Sequence, residues 1–280
     1  MDEGGLGMRV LGEAFGYLFD GANWGGDRGL LHLLLQQLLL TVTALGIAMA
    51  IGLPIALWLG HLGRGGFLAI NISNVGRAVP TFALLALFVT ADSWADGIGL
   101  PGGLSLPIHV EHFPGTMYFG PFGRAGLATL VALALFALPP VITNAYVAMR
   151  EVPAELRQVA DGMGMSGWQK FWRVELPLAV PVTVSGIRLA LVQVWATATI
   201  AALVAGPGLG RVITDGFFRT NYGKGIAGAI LVAAVALVLE LLAALLQRRL
   251  DPTRRRSSPR RASEMSAATS TVGAADPLGD

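Results

Sequence analysis

The strongest constraint on this chain is a set of apolar stretches, each long enough to cross a lipid bilayer. A helix needs about 20 apolar residues to span ~30 Å of hydrocarbon, because each unpaired backbone group in lipid costs several kcal/mol. Five segments satisfy this, at about residues 33–60, 67–91, 125–149, 178–205 and 226–246. They predict an all-α, polytopic membrane helix bundle with five core transmembrane helices. Overall composition agrees: 54% of residues are hydrophobic and 14% charged, with a mean hydropathy of +0.61.

Three ionisable residues interrupt the spans: Arg77, Arg188 and Glu240. Such side chains either reach back to an interface from near a helix end or face a protein interior or water-filled path. The first reading is preferred here, since each lies within about one to three turns of the span end that the charge distribution below places in the cytoplasm. Prolines at 54, 80, 139, 140 and 181 and polar groups at Asn71, Asn74, Asn144, Thr197 and Thr199 imply kinked helices with neighbours that satisfy them.

Lysine and arginine collect in short cytoplasmic loops. Arg64, the 150–173 passage and the 248–261 passage carry twelve such residues, against six at Arg9, Arg28, Arg124, Arg211, Arg219 and Lys224. The amino terminus is therefore expected outside and the carboxyl terminus in the cytoplasm, with the long acidic loop 92–123 outside. Residues 1–28 carry Asp2, Glu3, Glu13, Asp20 and Asp27 and lack a secretory signal pattern, so insertion is expected through the first span. Residues 8–19 read either as a short amphipathic helix on the bilayer surface or as a frayed terminus.

Three regions follow: an extracytoplasmic amphipathic segment over 1–29, a transmembrane domain over 30–250, and a tail over 251–280. The tail, basic at first and then rich in Ser, Ala and Thr, has little to bury and is expected to be disordered. Its arginines fix topology or attract anionic lipid. The absence of cysteine excludes disulfides, thiolate metal sites and thiol nucleophiles. His32, His61, His109 and His112 are too scattered for a metal cluster, and no catalytic residue is assigned.

Between two spans lies "QVADGMGMSGWQKFWRVELP", residues 158–177. Pro153 suits the first turn of a helix and Glu155 its positive end, while Gly162 and Gly164 terminate it. Ser166 and Gln169 form a capping-box pattern that starts a second helix, on which Trp168, Phe171 and Trp172 share a face. Pro177 is expected to stop that helix before the next span. Such a hairpin either rests its aromatics on headgroups or docks into a partner's groove.

The passage resembles the EAA loop of ATP-binding cassette (ABC) importer permeases. Gln158, Val159 and Ala160 occupy the Glu-Ala-Ala places, Gly164 the glycine, Val174 the isoleucine, and Leu176 with Pro177 the Leu-Pro end. All spacings match, with Gln and Val replacing Glu and the first Ala. The stretches "NVGRAVPTFALLAL" (74–87), "ALPPVITNAYVAMREVPAEL" (137–156), "GMGMSGWQKFWRVELPLAVPVTVSGIR" (162–188) and "ATATIAALVAGPGLG" (196–210) are similar to glycine betaine, carnitine and choline importer permeases.

This resemblance implies a type I importer permease in the plasma (inner) membrane of a bacterium or archaeon, carrying a quaternary-amine osmoprotectant such as glycine betaine, choline, carnitine or proline betaine. It implies coupling through Gln158, Val159, Ala160, Gly162, Gly164, Val174, Leu176 and Pro177 to a separate ATPase that holds ATP and magnesium. It also implies a separate solute-binding protein and a second permease subunit, identical or closely related. Apart from membrane lipid, no other partner is expected; nucleic acid is not one. The chain itself is expected to bind no cofactor: "GPGLGR" (206–211) lacks the Gly-Lys-Ser/Thr end that holds phosphate and magnesium.

Candidates for the translocation path are Asn74, Thr81, Asn144, Thr197 and Thr199. Trp195, Tyr146 and Phe82 form no evident aromatic cage for a quaternary ammonium, so selectivity is expected mainly in the binding protein. Other readings are import of another small solute, such as an amino acid or alkyl sulfonate, and an ion-coupled secondary transporter. The latter calls for midplane acids or repeated halves. A membrane enzyme lacks paired carboxylates or a nucleophile motif.

Overall fold

The computed structural model describes residues 3–26, 28–67, 71, 83, 86, 126–204 and 206–250. All regular structure among them is helical. The helices are α1 (Glu3–Phe19), α2 (Leu30–Leu62), α3 (Gly126–Arg150), α4 (Ala154–Gly162), α5 (Gly167–Lys170), α6 (Leu176–Ile200), α7 (Gly210–Phe218) and α8 (Tyr222–Leu250). The four expected spans at 33–60, 125–149, 178–205 and 226–246 correspond to α2, α3, α6 and α8, each long and apolar enough to cross a membrane. Most of the span expected at 67–91, including Arg77, Asn74 and Thr81, lies outside the described residues, as do the 92–123 loop and the 251–280 tail.

Small side chains let these helices approach closely, as membrane bundles require where lipid offers no hydrophobic drive between them. On α2, Ala44, Ala48, Gly52, Ala56 and Gly60 recur every four residues and are buried. A Cβ on Gly60 would stand 2.5 Å from Met149 Cβ, and one on Gly52 3.2 Å from Ile142 Cγ1, so this stripe seats α3. α3 and α6 approach closely at Gly186, where a Cβ would stand 2.2 Å from that of Asn144. One core cluster joins Leu40, Ala44 and Ala48 of α2, Leu130, Leu133, Ala134 and Ala137 of α3, and Val194 and Ala198 of α6.

α3 is the central helix, with 67% of its most apolar window buried, and α8 is peripheral, with none. On α8, Leu237, Val238, Leu241, Leu242, Leu245, Leu246 and Leu250 are exposed, as expected of a face turned to acyl chains. α8 is held to α6 by Trp195, whose Nε1 donates to the Val232 carbonyl at 3.1 Å. Residues 8–19 are helical, within α1, rather than frayed. α1 packs on the start of α8: a Cβ on Gly223 would stand 2.7 Å from Glu13 Cβ. Its Met8, Leu11, Phe15 and Phe19 remain exposed.

One sequence expectation is corrected at the start of α6. Pro177 does not stop the preceding helix. α5 passes through a π-helical turn, Phe171–Glu175, directly into α6, where Pro177 occupies the first turn. The π turn shifts the bonding register by one residue, with Leu176 N–H reaching the Phe171 carbonyl, so the missing proline N–H falls at the register change. At the other end the α-helix finishes at Ile200 and continues as a 3₁₀ turn, Ala201–Val204, close to the expected end of the span.

Gly186→Ala should therefore force α3 and α6 apart and cost about 1–3 kcal/mol. Gly46→Ala, whose Cβ meets nothing within 4 Å, should be neutral or stabilising by up to about 1 kcal/mol. Thermal denaturation of both variants in detergent checks the contrast.

Candidate functional site: a helical hairpin locked to the span bundle

Pro153 caps α4, one residue before its first turn, with Glu155 near the positive end. The α4 helix ends at Gly162, and Gly164 turns the chain with φ of 74°, where a side chain would strain the backbone. A Cβ there would touch nothing within 4 Å, so conformation rather than internal crowding requires this glycine. Gly164 N–H reaches the Asp161 carbonyl and Met165 N–H the Ala160 carbonyl, closing the α4 end.

The expected capping box forms in full. Ser166 Oγ accepts from Gln169 N at 3.3 Å, and Gln169 Oε1 accepts from Ser166 N at 3.0 Å. Lys170 Nζ lies 2.7 Å from Asp161 Oδ1, tying α5 back to α4.

The aromatic face meets the end of α2. Phe171 is buried, with its ring 5.4 Å from that of His61 and 6.4 Å from that of Trp58. Trp168 packs on Trp58 at 6.4 Å and on Trp172 at 5.5 Å, and both hairpin tryptophans stay at least half exposed.

Beneath these rings lies a buried polar junction that sequence reasoning missed. Glu175, only 1% exposed, sits in the π turn at the motif position between Val174 and Leu176. Its Oε2 contacts His61 Nδ1 at the end of α2, and its Oε1 lies 3.2 Å from Arg157 Nε on α4. The latter is a charge contact whose angle does not form a hydrogen bond. Arg157 Nη2 also donates to the Met149 carbonyl, one of the orphan acceptors at the end of α3. A single carboxyl thus joins the hairpin to the ends of two spans.

The motif residues divide by exposure. Ala160 is buried, Val174 and Leu176 are half-buried, and Gln158, Val159, Gly162, Gly164 and Pro177 are exposed. With Leu156 and Met163, Val159 leaves an uncovered apolar surface on α4.

The path candidates within the described residues do not converge. Asn144 lies toward the hairpin end of α3, its Nδ2 donating to the Pro140 carbonyl at 2.8 Å. Thr199 lies at the opposite end, where Gln37 Nε2 donates to its Oγ1 at 2.9 Å. Thr197 is buried within α6.

The glycine-rich stretch 206–210 is seated on α2. Leu209 N–H reaches Gln37 Oε1 at 2.8 Å and Gly208 N–H reaches Gln36 Oε1 at 3.2 Å. Beside it, a cavity of about 570 Å³ is lined by Tyr17, Arg28, His32, Arg211, Asp215 and Lys224, among others. Lys224 foremost, and then Arg219, donates to Asp215 and holds its carboxyl below the usual carboxylate range.

Arg188 and Glu240, which the sequence presents as two separate charges, are partners. They pair with each other across α6 and α8, Arg188 Nε standing 2.7 Å from Glu240 Oε1. Arg188 lies twelve residues from either end of α6, and its Nη1 reaches Gln247 Oε1, beside Arg248 and Arg249 in the last turn of α8.

The described residues form membrane-length helices with a partly uncovered helical hairpin at one end. Residues 48–256 match the family described as "Binding-protein-dependent transport system inner membrane component", and the chain belongs to that family. It is a membrane permease subunit of an ABC importer, a non-catalytic component.

Among its curated relatives, the osmoprotectant import permease protein OsmY of Salmonella typhimurium is 32% identical, over 80% of this chain and 83% of its own length. The glycine betaine/carnitine/choline transport system permease protein OpuCB of Bacillus subtilis is 25% identical, over 81% and 90%. Among solved structures, an inward-facing form of the MetNI methionine ABC transporter shares the fold with a TM-score of 0.58 and 18% identity, covering 77% of this chain and 93% of that one.

Two outcomes follow. Glu175→Ala leaves Arg157 and His61 facing a void and should cost about 3 kcal/mol, with Glu175→Gln milder; hydrogen exchange of the 154–170 amides should rise at least tenfold for Ala. Because the Asp215 carboxyl is held low, its stabilisation is fully present above the ordinary carboxylate range and is lost as pH falls through its depressed value. The stability difference between the native chain and Asp215→Asn, read by thermal denaturation, should therefore shrink on acidification through the ordinary carboxylate range and vanish below the depressed value.

Proposed function

We propose that this permease imports a quaternary-amine osmoprotectant such as glycine betaine, carnitine, choline or proline betaine, driven by a separate ATPase subunit that docks on the hairpin over residues 153–177. The observation that carries the coupling role is the hairpin itself. It is fixed to the spans through Glu175 and Phe171, while Val159, Met163 and Trp168 remain uncovered for a partner. The substrate class is supported by the names of the curated relatives and by the motif likeness around residues 158–177 and 196–210.

In this reading the hairpin faces the cytoplasm, where the lysine- and arginine-rich segments collect, and the α2 amino end faces outward. Gln158, Val159, Ala160, Gly162 and Gly164 form the contact and turn, and Val174, Leu176 and Pro177 join the hairpin to α6. With Gln158 in the motif's glutamate place, the interface relies on apolar contact and shape rather than on a charge at that position. ATP and magnesium bind the partner. A solute-binding protein delivers the substrate to the outward face, and a second permease copy or a close relative completes the pathway, which Asn74, Thr81, Asn144, Thr197 and Thr199 help to line.

A rigid lever transmits force because the ATPase states differ in how well they hold it, and an equilibrium shifts only by that difference in contact energy. In the reconstituted complex with ATPase and binding protein, Gly164→Val should lower ATP-driven glycine betaine uptake at least tenfold while the ATPase alone remains active. Uptake equal to that of the native complex would remove the hairpin from the coupling role.

A further inference from the structure

The Arg188–Glu240 pair plays no part in the hairpin and is expensive where it lies. Ionisable groups within membrane-spanning helices are costly unless each is matched, and apolar residues of similar size usually serve stability as well or better. Arg188 lies at the middle of α6, and Glu240 lies ten residues from the end of α8, about 15 Å along the helix. Both side chains keep 35% of their surface accessible, so the pair is not sealed by packing.

It borders a cavity of about 450 Å³ lined by Asn144, Ser185, Arg188, Leu189, Val192 and Glu240, drawn from α3, α6 and α8. That volume falls within the range of small-molecule sites. The cavity brings together an amide, a hydroxyl, a cation, an anion and two aliphatic side chains. Arg188 Nε and Nη2 both contact Glu240 Oε1, and Nη1 donates to Gln247 Oε1 at 3.2 Å. Glu240 Oε2 takes no hydrogen bond among the described residues.

We propose that this cavity is a membrane-embedded site for a zwitterionic solute, whose carboxylate binds the Arg188 guanidinium and whose quaternary ammonium lies against the Glu240 carboxylate. The proposal rests on the function proposed above and names the site and the charge type of solute it selects. A planar guanidinium fork matches a carboxylate, and Gln247 is a weak neutral partner that such a carboxylate outcompetes. A quaternary ammonium donates no hydrogen bond, so it needs only a nearby negative charge and aliphatic surface, which Glu240, Leu189 and Val192 provide.

The charge balance selects the ligand. A zwitterion replaces one ion pair with two, and every charge in the cavity stays matched. A solute with a single positive charge, such as choline, competes for Glu240 and leaves Arg188 uncompensated in a region of low dielectric. A simple carboxylate does the converse. The cavity is thereby suited to betaines and carnitine over choline, a discrimination made within the permease rather than in the binding protein.

The test uses the complete permease–ATPase complex in lipid nanodiscs, without binding protein, and follows its thermal midpoint as solute is added; a ligand that binds only the folded form raises it. Glycine betaine should raise the midpoint, whereas choline or acetate at the same concentration should not. Arg188→Met combined with Glu240→Leu removes both charges together, avoids an unpaired one and is expected to fold; in it the glycine betaine shift should be lost.

No shift in the native complex, an equal shift with choline, or a shift that survives in the double variant would overturn the site. A parallel uptake measurement with the native complex and its binding protein separates this from the function reading. Robust glycine betaine uptake alongside any of those results sinks the site alone, whereas absence of uptake of any quaternary amine sinks the substrate assignment.

Discussion

One buried carboxyl, that of Glu175, determines how the hairpin sits on the bundle. A carboxyl almost wholly removed from solvent persists only where it is matched, and here His61 comes from α2 and Arg157 from α4. Arg157 is in turn tied to the last carbonyls of α3. Three chain segments thus converge on one side chain, and the Phe171 ring packs beside them against His61 and Trp58. Without that junction the hairpin is two short helices of nine and four residues, too short to hold a defined position by themselves.

The π turn completes the connection. Because Phe171–Glu175 runs into α6 without a break, a displacement of α5 is carried along the axis of a span rather than absorbed in a flexible joint. The same turn buries Glu175 and Phe171. Local helix irregularity, a proline tolerated at the register change and a buried charge are therefore parts of one device, consistent with a partner subunit pushing on the hairpin to move the spans.

Much of this was legible in the sequence, and the reasons are physical. Spans announce themselves because lipid forces long apolar runs, and α2, α3, α6 and α8 lie within a few residues of the expected segments. The hairpin was legible because Pro153, Gly164 and the Ser166–Gln169 box act locally, over a few residues each. Glu175 was not legible. Its partner His61 lies 114 positions away, and a glutamate beside an amphipathic helix reads as a solvated charge. The pairing of Arg188 with Glu240 across 52 positions was hidden in the same way, and each was read alone as reaching for an interface. Pro177 misled because a proline normally ends a helix, and only the π turn upstream of it removes the conflict.

The central claim is that the hairpin and the span ends move as one body under the force of an ATPase. The chain has no native cysteine, so paired spin labels can be introduced at single added cysteines without background. Distances should be measured by pulsed electron resonance in the reconstituted complex, nucleotide-free and ATP-trapped, between Gln158 and Leu62 within one chain and between the Gln158 positions of the two permease subunits. The account predicts an unchanged distance within the chain and a clear shortening between subunits on ATP trapping. A hairpin that shifts against Leu62, or two hairpins that keep their separation whatever the nucleotide state, would contradict it.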